Sequence, residues 1–287
     1  MATMTIAGLV GAADGVTQSF LTQTYPALAG AIEAPLYWGV VLYWTVYGYK
    51  VYAGHEPMKW NSVLAKAFMT TAVFATLNWG GLGQRIYVVF VSFMESAAST
   101  IMAEQSTASM LDALYNNVGH VATLLQKGSG YEFGMILEGF GLFVVNCLLF
   151  LLALVYMTIA KFGLAITMVL CPLFIGFLMF PQTRQWFMNW LSMMLNFCFI
   201  YILVIAIVRF GFLAFSDAIK EAGNAASVTD ASRITTQQVS YLYIVEGALV
   251  MFMLQVKEWA ATLSGGATVQ GVSLLLMVGR MFTGAPR

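Results

Sequence analysis

Charged side chains are scarce in this 287-residue chain: Asp, Glu, Lys and Arg together make up 9%, against roughly 25% in an ordinary soluble domain. A body of this size needs a charged surface to stay dispersed in water. The deficit therefore excludes a plain water-soluble globule and leaves lipid as the solvent for much of the exterior. Basic and acidic residues number 13 each, so no net field recruits nucleic acid or acidic substrates. Histidine is almost missing, with only His55 and His120, far apart. No His-Glu-x-x-His or Cys-x-x-Cys occurs, which removes the common zinc chemistries. Cys147, Cys171 and Cys198 each sit alone in an apolar run. An odd, scattered set fits neither a disulfide framework nor a metal site, and reads as small buried hydrophobes. No catalytic residue, metal or cofactor is expected, and no enzyme. The first 35 positions hold no Lys or Arg, only Asp14 and Glu33. A cleaved secretory signal needs a basic start, so none is expected.

What is abundant is hydrophobicity, 60% of the residues. A helix that crosses a bilayer takes about 20 mostly apolar residues, and the uncharged intervals supply them. Residues 34–49 are one, extended to 53 if Lys50 reaches back to the interface. The others are 67–84, 139–160, 162–183 and 185–208, which makes five predicted spans. Residues 238–256 are a sixth candidate with Glu246 at the centre. An acid there costs about 2.5–3.5 kcal/mol on insertion scales, so this stretch spans, lies in the interface, or packs inside an oligomer. Residues 259–279 are uncharged too, but their Gly, Ser and Thr content predicts a loop and then a short helix. The fold class expected is all-α: a polytopic integral membrane protein with five transmembrane helices, or six if 238–256 crosses, and a helical periplasmic region. The divisions are an N-terminal periplasmic segment 1–33, helices one and two in 34–84, an amphipathic periplasmic region 85–138, helices three to five in 139–215, and a C-terminal region 216–287.

Orientation follows from the basic residues, which stay cytoplasmic. The first link has Lys50, Lys59 and Lys66 against Glu56, whereas 86–138 has Lys127 against Glu95, Glu104, Asp112, Glu132 and Glu138. The amino terminus and the central region are then outside, and the first link is inside. Lys161 and Arg209 fall at inner helix ends, while Arg184 falls outside as an exception. In the central region, Leu111, Leu114, Tyr115, Val118, Ala122 and Leu125 recur at three- and four-residue steps, an amphipathic helix pattern, with Ser109 to cap its start and Gly128 to end it. Residues 86–94 are apolar but too short to span, and suit the interface. The glycines in "NWGGLGQR", at 80, 81 and 83, lack the Lys-Ser/Thr of a phosphate loop and mark a turn. The 18 methionines are scattered through apolar runs and fill gaps more readily than they bind copper. Gly139, Gly141, Gly163 and Gly176 permit close helix approach, to another copy or to another helix of this chain. Glu246 is the ionisable residue that most needs a buried partner.

One stretch concentrates unusual residues: "CPLFIGFLMFPQTRQWFMNWL", 171–191. Pro172 removes a backbone hydrogen bond from an apolar helix and kinks it. Pro181 stops the helix at Phe180, because the residue before proline is steered away from helical geometry. Gln182, Thr183 and Arg184 form a polar turn, and Trp186 and Trp190 lie one helical turn apart. Two readings stand: an interfacial anchor, since tryptophan favours the headgroup level, or a rigid docking corner, with Arg184 held for a partner or a lipid phosphate.

The same stretch resembles the hallmark region of the TrbL family, polytopic inner-membrane proteins of type IV secretion systems. The match lies at Pro172, Leu173, Phe174, Phe180, Pro181, Thr183, Arg184, Trp186, Phe187 and Trp190, and the glycine-rich "LSGGATVQG" is a weaker echo. The resemblance implies a structural, channel-forming inner-membrane subunit that supports pilus assembly and DNA or protein translocation. It implies a homo-oligomer that meets the major and minor pilins, the inner-membrane complex subunits and their secretion ATPases. The translocated substrate would pass along residues 86–133. The alternative is a secondary transporter of a small solute or ion. That class often shows paired inverted halves, and no internal repeat is evident here. Its spans offer only Glu246, Asn146 and Asn196 as a polar site.

Overall fold

The computed structural model describes residues 6–102, 107–126, 133–180, 182–226 and 236–265. These form eight α-helices and no strand among the described residues. The helices are α1 (Ile6–Tyr52), α2 (Trp60–Ala75), α3 (Gln84–Ile101), α4 (Thr107–Gln126), α5 (Phe133–Val169), α6 (Cys171–Phe177), α7 (Arg184–Ala226) and α8 (Thr236–Leu263), with a π turn at Trp79–Gly83 between α2 and α3. Among the described residues, three segments are long and apolar enough to cross a membrane: Ile136–Val169, Arg184–Ala214 and Val239–Leu263.

Those three segments form the centre of the bundle, and their side-chain partners fix their directions. Trp190 meets Thr167, and the ring of Phe197 fills the space beside Gly163. α7 is therefore antiparallel to α5. Ser192 bonds to Ser264, and Leu249 fills the space beside Gly211, so α8 is antiparallel to α7 and parallel to α5. Leu149, Phe150 and Ala153 of α5, Ile207 and Val208 of α7, and Leu249 and Met253 of α8 surround a small apolar cavity where the three meet. At one end of the bundle stand Val169, Arg184 and Leu263, and at the other Ile136, Ala214 and Val239.

The remaining helices wrap this centre. α4 lies antiparallel along the first half of α5. Val118, Ala122 and Leu125 are buried and Tyr115 is half-buried, as the sequence spacing predicts for these four; the side chains of Leu111 and Leu114 lie outside the described residues. It begins at Thr107, so Ser109 is inside it rather than at its cap, and Gly128 lies outside the described residues. α3 runs along α7, where Phe93 stands edge-on to Phe199 at 6.5 Å. α1 continues through Pro26 and Pro35 and passes beside the end of α5 and then α6. α2 turns back along α1, joined by a hydrogen bond from the Trp44 indole to Thr70 at 3.1 Å.

Three predicted spans have different boundaries. The run 67–84 is broken: α2 stops at Ala75, and Gly81 leaves helical geometry. The glycines at 80, 81 and 83 do make a turn. A Cβ on Gly81 would lie 2.6 Å from the Ala75 carbonyl oxygen, and one on Gly83 would strike the Tyr25 hydroxyl. That hydroxyl donates to the Thr76 carbonyl at 2.6 Å, satisfying an acceptor that the ended helix leaves free.

The runs 139–160 and 162–183 are not separated at Lys161. α5 passes through that residue as one 37-residue helix, about 55 Å long, and the break comes at Leu170. The physical reason is a partner. Lys161 is paired with Asp14 of α1 and lies over the Tyr201 ring at 5.7 Å, so its charge does not require a helix end. Since α5 does not reverse there, Lys161 and Arg209 are not the ends of successive helices and stand at different levels of the antiparallel α5 and α7. Arg209 adjoins the Ile207–Val208 level of the antiparallel α7, near the first half of α5.

Candidate assembly site: the hairpin of α6 and α7

Pro172 occupies the first turn of α6. Proline is tolerated there because the N–H it lacks would have no intrahelical partner. The helix break thus falls just before Pro172, at Leu170 between α5 and α6. The Trp190 indole N–H donates to the Thr167 carbonyl at 2.8 Å, one turn before the break. α7 is thereby fastened to the end of α5.

Aromatic rings close the hairpin. Phe174 stacks on Trp190 at 5.9 Å, and Phe177 meets Trp186 edge-on at 5.1 Å. Phe174 and Phe177 meet each other at 5.6 Å, and Phe187 meets Trp190 at 5.7 Å. Both tryptophans therefore face α6, but they differ in environment. Trp190 is 4% exposed and Trp186 is 54% exposed. The first is a core residue, and the second leaves half its surface to the surroundings.

The tip is held from within. Thr183 donates its hydroxyl to the Phe177 carbonyl at 2.8 Å, and the Thr183 and Arg184 amides both donate to the Phe180 carbonyl at 3.1 Å. These bonds satisfy the acceptors at the end of α6. Pro181 lies outside the described residues. Phe180 packs edge-on against Tyr43 of α1 at 5.6 Å. Leu36 fits where Gly176 has no side chain, since a Cβ there would lie 2.6 Å from its Cδ1. The hairpin is thus a rigid corner seated on α1. Arg184 is exposed at its tip.

The other glycines singled out in the sequence have the same use. A Cβ on Gly139 would lie 2.8 Å from the Ala122 carbonyl oxygen. One on Gly141 would strike Tyr243, and one on Gly163 would strike the Phe197 ring. Each admits a helix of this same chain.

Glu246 is distant from the hairpin. It is 0% exposed, and neither carboxylate oxygen has a hydrogen-bond partner among the described residues. The Asn146 and Asn196 side-chain oxygens are likewise buried without a partner there. Asn146 donates its amide to the Tyr115 carbonyl at 3.4 Å. Among the described residues no three His, Cys, Asp or Glu side chains come together as a metal site. Sequence reasoning missed the Asp14–Lys161 pair and the Trp190–Thr167 bond, and no local pattern signals contacts over such separations.

The family model of the TrbL/VirB6 plasmid conjugal transfer proteins matches residues 40–256, a stretch that contains the entire hairpin. The type IV secretion system protein VirB6 of Bartonella henselae is 25% identical over 201 residues, 64% of this chain and 59% of that protein. The aligned part therefore spans less than two thirds of that relative's length.

Proposed function

Because this chain belongs to the TrbL/VirB6 family of plasmid conjugal transfer proteins, we propose that it is a non-enzymatic, multi-pass inner-membrane subunit of a type IV secretion system. In this reading it helps to form the passage for DNA or protein and supports pilus assembly. The observation that carries it is the family match across 40–256, supported by three helices suited to a membrane. Energy comes from partner ATPases, and the chain acts as a platform in a homo-oligomer with pilins and inner-membrane subunits.

The hairpin suits that role. Its inner rings and its seat on α1 fix its shape, so a partner that binds the exposed face of Trp186 loses little conformational entropy in ordering it. Pro172, Phe180, Pro181, Thr183 and Trp190 set the corner, and Trp186 and Arg184 present it. The test is crosslinking in native membranes followed by purification. Co-isolation of pilin and a secretion ATPase is expected. Recovery of the chain with no secretion component sinks the proposal.

Glu246 favours a second reading, a secondary transporter of a small solute or ion. An ionisable side chain within a membrane segment commonly marks a transport path, and this one is wholly buried with both oxygens lacking a described partner. Ion-coupled uptake by the purified, reconstituted chain alone would establish this reading, and its absence would remove it.

A further inference from the structure

The hairpin tip and the first link are separated by more than a hundred residues of sequence, yet they share one end of the molecule. Phe180 rests on Tyr43, and a Cβ on Gly39 would just touch its ring at 4.0 Å. From Tyr43, α1 rises for less than three turns to its end at Tyr52, where the first link begins. Lys66 returns to this level on α2, paired with Glu56 at 3.8 Å and lying over the Tyr47 ring at 3.3 Å. Among the described residues of the first link and the hairpin tip, this end therefore carries Lys50, Lys59, Lys66 and Arg184 against Glu56. Lys50, Lys59 and Arg184 are exposed.

Exposed aromatic residues accompany these cations. Tyr49, Tyr52, Trp60 and Trp186 all leave large parts of their rings uncovered. Amphipathic rings at this density, beside a cluster of one sign, suit the headgroup level of a bilayer. In the sequence the stretches 127–132 and 227–235 carry no such excess, since Lys127 stands against Glu132 and Arg233 against Asp230.

We propose that the end of the bundle bearing Lys50, Lys59, Lys66 and Arg184 is a binding surface for the anionic phospholipid headgroups of the cytoplasmic leaflet. Lys50, Lys59 and the Arg184 guanidinium contact lipid phosphates, and Tyr49, Tyr52 and Trp60 sit among the headgroups, which leaves the exposed face of Trp186 to a protein partner. Arg184 then obeys the rule that basic residues stay inside. The exception in the linear reading came from reversing the chain at Lys161, where α5 does not reverse. The tip of the α6–α7 hairpin and the first link face the same compartment. This inference rests on the inner-membrane location proposed above but not on the secretion role, and its test uses lipid and sidedness alone.

Two measurements on the full-length protein decide it. With Cys147, Cys171 and Cys198 replaced by Ala, K59C and R184C are exposed separately to a membrane-impermeant maleimide. Both are expected to react in inverted membrane vesicles and neither in spheroplasts. Reaction of R184C from the periplasmic side overturns the proposal. Next, the protein is reconstituted in phosphatidylcholine with spin-labelled phosphatidylglycerol as probe. Its preference over spin-labelled phosphatidylcholine should fall by up to roughly fivefold for each of K50Q, K59Q and R184Q, the factor one basic side chain contributes at an anionic surface. An unchanged preference in the triple variant overturns the lipid assignment and gives these cations to a protein partner.

Discussion

The Trp190 indole donates a hydrogen bond to the Thr167 carbonyl at 2.8 Å, joining two helices across the proline break. The same carbonyl accepts only a longer bond, from the Leu170 amide at 3.3 Å. The indole is thus its principal partner, and the bond predicts how the hairpin responds to substitution. Trp190→Phe keeps a ring against Phe174 and Phe187 but removes the donor. A loss of about 1 kcal/mol is expected, against about 3–5 kcal/mol for Trp190→Ala, which also leaves a cavity. Unfolding in mixed detergent micelles measures both. A Phe variant as stable as the parent would show that the bond contributes nothing net.

Gly139 and Gly247 make a matched pair of controls for close helix approach. A Cβ at 139 meets the Ala122 backbone and the Leu125 Cβ, each at 2.8 Å, whereas a Cβ at 247 meets nothing within 4 Å. Backbone yields less readily than the end of a flexible side chain. Gly139→Leu should therefore destabilise by about 1–3 kcal/mol. Gly247→Ala should be neutral or stabilise by up to about 1 kcal/mol, from helix propensity alone. The same unfolding assay reads both, and the reverse order would mean that α4 does not pack on α5 as described.

Arg184 and Trp186 carry the assembly reading. Arg184 is exposed and Trp186 touches only Phe177 among the described ring contacts, while Trp190 holds the hairpin from within, so Arg184→Ala with Trp186→Ala is expected to leave the protein in the membrane at normal abundance. Conjugal transfer or pilus production should nevertheless be abolished. Immunoblots of membrane fractions and mating assays measure the two effects. Undiminished transfer by the double variant would reduce the motif to a membrane anchor.

Glu246 offers a contrast between stability and use. A buried polar group without a partner costs about 1–3 kcal/mol, so Glu246→Met, similar in length and apolar, should raise the unfolding midpoint of the purified chain. If the carboxylate serves transport or secretion, the same variant loses that activity while gaining stability. A lower midpoint would mean that the carboxylate already has a partner within the chain.

The helix stop expected at Phe180 comes earlier, at Phe177, and Pro181 lies outside the described residues; the spacing of apolar residues made the described part of the α4 stripe legible in advance, and proline chemistry did the same for the break before Pro172. These features are local: a helix face repeats every three or four residues, and a missing N–H acts on the next turn. The roles of the two tryptophans were not local. Trp186 and Trp190 look alike in sequence, and only the packing of α6 leaves one exposed and buries the other.

Sequence by itself determined that this chain needs lipid, that it is helical, and that one proline-bounded hairpin is unlike the rest. Tertiary structure alone decided where the helices end and which charges lie together. A hydropathy scan treats Lys161 as a boundary because it weighs the ammonium group against hydrocarbon. In the folded chain that ammonium faces Asp14, 147 residues earlier, and the helix continues past it. A charge marks a helix end only when no opposite charge comes to meet it, and a partner that distant in sequence becomes visible only once the helices pack.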